Sequence, residues 1–321
     1  MLLLVVTGSA KNLYAATVSP NSSTQSGNNG LQISPTRTDL AVNRGEVTTF
    51  QISLKNVSSI NLIAKAELND FQSDNQTGNP KLLVNTKQRT DRSVAPFVKG
   101  VADVPLSPGQ TKNLSFTVDV PQNAAPGGYY GAIRYSAVPV NPKENTGPSQ
   151  VSLTASVASL VLMEINGPVN ETLTLDSITA IRDTTEGTFF FGKGPNKVSI
   201  KLSNKGNGFA QPLGHVYIMK GSKQVYSYEF NSNAVGLHSS VLPYSSRVFT
   251  DPIKNTSAFG QYKIIASIAY KQGNETVTVT QRFWVIPKGV AIILIIILIL
   301  IAVAIAYFIA RRRRSKRSTK V

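Results

Sequence analysis

From Val290 to Ala310 the chain reads VAIILIIILILIAVAIAYFIA, twenty-one residues without a charge. As a helix rising about 1.5 Å per residue it is roughly 31 Å long, the thickness of a bilayer's hydrocarbon core. Its Ile, Leu, Val and Phe side chains, at roughly −0.3 to −0.6 kcal/mol each, sum to an insertion preference of about −6 kcal/mol. A core helix of a soluble domain keeps a polar face, and this stretch has none. The sequence therefore predicts a single transmembrane α-helix over 288–310.

RRRRSKRSTKV follows, with Arg311, Arg312, Arg313 and Arg314 at its head, whereas Lys288 alone stands just before the span. Loops rich in Lys and Arg stay in the cytoplasm. Residues 311–321 are thus predicted inside and the rest of the mature chain outside, on the cell membrane, with Val290, Ala310 and the four arginines as the anchor. The tail also explains much of the net charge of +16. Without it and Lys11, 25 Lys/Arg face 17 Asp/Glu, a moderately basic ectodomain suited to an acidic wall polymer. A basic run can also bind nucleic acid, but one joined to a span reads as a stop-transfer anchor, and no nucleic-acid partner is expected.

Residues 1–16 contain an apolar run, MLLLVV, and a small-residue cleavage point after Ala15 or Ala16. They read as a secretory signal that lacks a basic leader, which leaves room for a start upstream of Met1. Residues 17–30 form a polar linker. The absence of cysteine removes thiolate chemistry and favours a bacterial surface over a disulfide-rich eukaryotic ectodomain.

Between Leu31 and Pro287 the dominant period is two. FQISLKN places Phe50, Ile52 and Leu54 on one face, and LSFTVDVP does the same with Leu114, Phe116, Val118 and Val120. Turn signals such as NRGE, SPGQ, APGG, NGP and KGNG separate the runs. Three strings recur in order: FQISLKNVSS with VSIKLSNKGN, PLSPGQTKNLSF with VLPYSSRVF, and PGGYYGAIRYSA with FGQYKIIASIAY. The prediction is an all-β ectodomain of two tandem immunoglobulin-like β-sandwiches, 31–167 and 168–287, ahead of the helix.

In each copy Gly-x-Tyr heads a late strand, the place of a tyrosine corner. Alternation puts Tyr129, Ile133 and Tyr135 on one face, and Tyr130 and Arg134 on the other. APGGYYGAIRYSA could instead be a ligand loop, but phosphate-cradling spacing and a following helix are missing.

At LQISPTRTDLAVNRGEVTTFQISLKNVSS, APGGYYGAIRYS, VLPYSSRVF and GQYKIIASIAY…QRFWVIPK the chain resembles the WxL-interacting proteins of Gram-positive surfaces. The resemblance covers the ectodomain and the order signal, module, module, helix, basic tail. It implies a first domain that binds peptidoglycan and a second that binds host or partner proteins. The stretch ISPTRTDL also resembles the first domain of periplasmic pilus chaperones.

Candidates for chemistry are few. His215 and His238 are the only histidines, and neither G-x-S-x-G nor HExxH accompanies them. DFQSDNQTGNP, from Asp70 to Pro80, offers oxygens for calcium without an EF-hand register, so no metal and no cofactor is expected. The insert from Gln72 to Gly100 carries Lys81, Lys87, Arg89, Arg92 and Phe97; with Tyr130 and Arg134 these are the candidate partner contacts. The expected function is non-enzymatic binding of cell-wall polymer, of a surface or host protein, or of both. The alternative is a chaperone-like module that holds another surface protein by β-strand addition.

Overall fold

The computed structural model describes residues 30–84, 88–141, 155–232, 238–273 and 275–317, with side chains described as far as Ile309, Gln272 excepted. The signal, nearly all of the linker and the last tail residues lie outside these.

Module 1 contains β1 (Leu31–Ser34), β2 (Arg37–Val42), β3 (Val47–Asn56), β4 (Leu62–Asn69), β5 (Phe71–Ser73), β6 (Pro80–Leu82), β7 (Val98–Lys99), β8 (Val104–Leu106), β9 (Thr111–Asp119), β10 (Gly127–Pro139) and β11 (Ser156–Ile165). Module 2 contains β12 (Leu173–Arg182), β13 (Thr185–Gly187), β14 (Phe189–Phe191), β15 (Lys197–Asn204), β16 (Leu213–Lys220), β17 (Lys223–Phe230), β18 (Ser246–Pro252), β19 (Gly260–Tyr270) and β20 (Glu275–Ile286), followed by α1 (Lys288–Arg317).

Each module is a sandwich of a four-stranded and a five-stranded sheet. The orders are β1-β3-β9-β7 with β2-β11-β10-β4-β8, and β13-β12-β15-β18 with β14-β20-β19-β16-β17. Period-two runs form these strands because every second side chain can enter the space between two sheets. Phe50, Ile52, Leu54, Phe116 and Val118 are buried in the first core, and Val198, Ile200, Leu202, Ile264 and Ile268 in the second. In both modules the first strand changes sheets. β1 pairs with β3 and β2 turns to run parallel to β11, while β12 pairs with β15 and β14 runs parallel to β20. The fold is thus two tandem immunoglobulin-like sandwiches ahead of one helix, as the periodicity predicts. The segment Lys288–Ile309 has a mean hydropathy of 3.5, and by length and composition it can cross a membrane.

The repeat is physical as well as textual. Tyr129 Oη donates to Ala125 O at 3.0 Å, and Tyr262 Oη donates to Ala258 O at 3.0 Å. Both rings are buried, so each is a tyrosine corner that ties a late strand to the turn before it. A second pair matches as closely. Asn56 Nδ2 donates to Ile60 O and Leu106 O while its Oδ1 accepts from Ser58 N; Asn204 Nδ2 donates to Gly208 O and Val241 O while its Oδ1 accepts from Gly206 N. Each asparagine closes the turn after a core strand from inside the sandwich. Tyr129→Phe keeps the ring, removes one hydrogen bond and should cost about 0.5–1.5 kcal/mol in urea unfolding; Tyr262→Phe also removes the bond its hydroxyl accepts from Ala258 N at 3.2 Å and should cost more.

Candidate functional site

The glycine pair that opens β10 is where the two modules meet. Gly128 N donates to Asn207 O at 2.7 Å, and Asn207 Nδ2 donates to Pro126 O at 3.2 Å. A Cβ at Gly127 would sit 2.6 Å from Asn207 O, and one at Gly128 2.8 Å from the Phe209 ring. Gly127 also has φ +120°, a conformation that disfavours any side chain. These glycines do give backbone access, as a ligand loop would, but the group that uses it is the chain's own loop between β15 and β16.

Tyr130 stands next to them. It points away from the core of module 1, as alternation predicts, yet it is only 8% exposed. With Phe71, Ala132 and Leu162 it makes a third buried cluster, against which Phe209 and Leu242 of module 2 are packed. Its ring centroid lies 4.9 Å from Phe71 and 6.3 Å from Phe209. Tyr130 is therefore withdrawn from outside partners, because module 2 covers it.

The basic insert has a similar fate. Its hairpin, β5–β6, reaches across to the edge of β18: Val248 N donates to Gln76 O at 2.5 Å, Ser246 N to Asn75 Oδ1 at 3.0 Å, and Ser73 Oγ to Ser246 O at 3.1 Å. Asp74 shapes the tip. The Thr77 hydroxyl and the amides of Gln76, Gly78 and Thr77 donate to its carboxylate and hold its pKa down to about 2. Asp70, at the hairpin's root, accepts from Thr90 N, Ser93 Oγ and Arg89 Nη1. The carboxylates of the Asp70–Pro80 stretch are thus turned onto protein donors.

The other candidates are accounted for one by one. Arg89 is held by Asp70 and Leu68 O. The Arg92 guanidinium lies 5.5 Å from the Tyr129 ring and 5.4 Å from that of Tyr244, bridging the modules. Phe97 is a core residue, 8% exposed and edge-on to Tyr129 at 5.0 Å. Arg134 pairs with Glu67 at 2.6 Å and donates to Asn69 Oδ1 and Ser136 Oγ; its hydrogen bond also lowers the pKa of Glu67. Lys81 is exposed, and Lys87 lies outside the described residues. The helix reaches Arg317, so Arg311–Arg314 continue α1. Most of the presumed ligand side chains therefore hold module 1 together or clasp module 2.

A half-buried acid sits in the same junction. Glu164 Oε2 accepts from Phe209 N at 3.3 Å, and burial raises its pKa. Burial, and then the Glu164 charge, raise that of Glu171. A folded pKa above the unfolded value favours the protonated carboxyl. The contribution of Glu164 is therefore full below its ordinary value of 4.5 and is lost as pH rises through the raised one. Glu164→Gln should stabilise the protein at neutral pH and lose that advantage as pH falls below the ordinary carboxylate range, read as thermal midpoints of variant and parent across the pH series.

His215 falls in one cross-strand row with Glu229 and Ser267. That row lies on an exposed sheet face, His215 stacks on Tyr217, and no hydrogen bond joins the three among the described residues. His238 Nδ1 contacts Asn231 O at 2.9 Å. Among the described residues no group of three or more His, Asp or Glu is placed to hold a metal.

One feature that the sequence reading passed over is the flank of β20. Over Glu275–Phe283 it pairs with β19 on one side, and β14 joins its other side only at Trp284–Ile286. Along that stretch Val277 and Val279 face the core half-buried, while Thr276, Thr278 and Thr280 face out. The uncharged Thr–Val alternation between Glu275 and Arg282 was its signal.

No family model and no curated protein matches the chain. Among solved structures it is similar to the class 5 fimbriae chaperone CfaA, at 14% identity over 80% of this chain and 99% of that one, with a TM-score of 0.40. It is also similar to the E. coli chaperone DraB, at 13% over 80% and 97% with a TM-score of 0.36. A third is the Pseudomonas aeruginosa CupB2 chaperone, at 9% over 79% and 100% with a TM-score of 0.32.

Proposed function

We propose that this chain is a membrane-anchored surface protein that binds rather than catalyses, and that it holds an extended segment of a partner protein along the free flank of β20. The ectodomain lies outside and the basic tail inside, by the charge asymmetry about α1. The observation that carries this reading is the one-sided pairing of Glu275–Phe283. A strand with unpaired N–H and C=O groups on one side is a template for another strand, and alternating half-buried valines give a partner's side chains somewhere to go. The opposite edge of the sheet, β17, is guarded by Lys223 and Glu229, and charges on an edge discourage pairing. With module 2 next to the span, module 1 is carried outermost, towards the wall. The resemblance to WxL-interacting proteins assigns peptidoglycan to that module, and Lys81 is the exposed candidate there.

The test is affinity capture from native envelope, followed by identification of what is bound. The parent and a Val225→Lys control on β17 should retain the same partner protein, whereas Val277→Lys/Val279→Lys should lose it. Equal recovery by all three would sink the strand-addition reading. Isolated sacculi in the same assay test the wall polymer separately.

A further inference from the structure

Outside α1, the exposed Phe and Trp side chains among the described residues gather at one end of module 2. Phe189 and Phe191 are 61% and 62% exposed, Phe259 46% and Trp284 37%. Register places most of them on one face. β14 runs parallel to β20 with Phe189 opposite Trp284 and Phe191 opposite Ile286, while the alternate residues Phe190, Phe283 and Val285 are buried. Phe259 precedes Gly260, which is opposite Val285 on the other side of β20. An outward aromatic row is a liability on a sheet surrounded by water. Here it ends at Trp284, four residues before α1 begins at Lys288.

Cations surround the same end. Arg182, Lys193 and Lys254 line a polar recess of about 260 Å3 with Asn196 and Asn255. Lys288 lies against Gly192, and Lys220 against Gly260. Asp183 lines the same recess, so three cations there face one acid, and Glu186 lies in the adjoining β13. Aromatic rings beside lysines and arginines are the composition of a membrane interface, where rings sit at the headgroup level and basic side chains meet lipid phosphate.

We propose that the base of module 2 is seated in the headgroup layer of the membrane that α1 spans, with Phe189, Phe191, Phe259 and Trp284 as its aromatic anchors and the surrounding cations on anionic lipid. This rests on the reading of α1 as a span. Continuity favours lipid over a protein occupant, because a soluble partner would have to work beneath a module tethered two residues from the bilayer. Seating also fixes the attitude of the ectodomain, so that β20 is presented in one orientation.

Trp284 is the only tryptophan, so Trp284→Phe gives a silent background for single reporters in the full-length chain. The chain is reconstituted into phosphatidylcholine–phosphatidylglycerol vesicles with brominated acyl chains, which quench nearby indoles. On that background Phe191→Trp and Phe259→Trp read the two sides of β20, Val57→Trp reads a remote surface, and Leu298→Trp reads the span. Both base reporters should be blue-shifted and quenched several-fold more than Val57→Trp, and less so in purely neutral lipid. If they match Val57→Trp while Leu298→Trp is quenched, the module stands clear of the bilayer and the proposal is overturned. Blue-shifted but unquenched base reporters overturn it in favour of a protein cover. An unquenched Leu298→Trp would remove the membrane reading itself.

Discussion

Asn204→Ala should lower the stability of module 2 by about 2–6 kcal/mol, a large share of what holds a domain of this size together. The side chain is 1% exposed and serves three backbone groups: Gly208 O at 2.7 Å, Val241 O at 3.1 Å and Gly206 N at 2.9 Å. Alanine leaves Gly208 O and Gly206 N buried without that partner, at about 1–3 kcal/mol each, while Val241 O keeps its bond from Ala210 N at 3.1 Å. Asn204→Asp separates the roles, because it keeps the acceptor for Gly206 N and loses both donors. Trp284 lies in module 2, so its fluorescence during urea unfolding reads the effect directly. The mirror substitution, Asn56→Ala, removes the same set in module 1. It should move the Trp284 transition only as far as the junction couples the two modules.

Gly127→Val should separate the modules while leaving module 2 folded. Any Cβ there lies 2.6 Å from Asn207 O, a backbone atom that cannot step aside, and the backbone holds φ +120°. The positive φ alone costs of order 1–3 kcal/mol. Relief of the clash means parting the Gly128–Asn207 hydrogen bond and uncovering Tyr130. Gly109→Ala is the matched control: it also has a positive φ, but nothing lies within 4 Å of its Cβ. Hydrogen exchange at Gly128 and Phe209 should become fast in Gly127→Val and stay slow in Gly109→Ala.

Much of the fold was legible because it depends on local rules. Alternation at Phe50, Ile52 and Leu54 needs only a period of two, and the tyrosine corners announce themselves by Gly-x-Tyr in each copy. The repeated asparagine showed as a textual echo, although its buried hydrogen bonds did not. The junction was illegible for a physical reason. Its contacts join residues distant in sequence, 81 apart for Pro126 with Asn207 and 171 apart for Asn75 with Ser246, and nothing near either one specifies the other. The insert's Arg89 and Arg92 therefore looked like free cations on a loop, when one serves Asp70 and the other lies between two tyrosine rings of different modules. Phe189 and Phe191 were equally opaque, since FFF reads as core until one knows that β14 is a short parallel edge whose alternate residues face out.

The hold of the hairpin on β18 and the contact at Gly127 and Gly128 predict that the two modules form one rigid arm. The most direct measurement is the distance distribution between spin labels at Lys55 in module 1 and Lys223 in module 2, both exposed, taken on the full-length protein in nanodiscs. A single narrow distribution that broadens in Gly127→Val is the predicted result. A broad distribution in the parent, unchanged by the substitution, would contradict the claim.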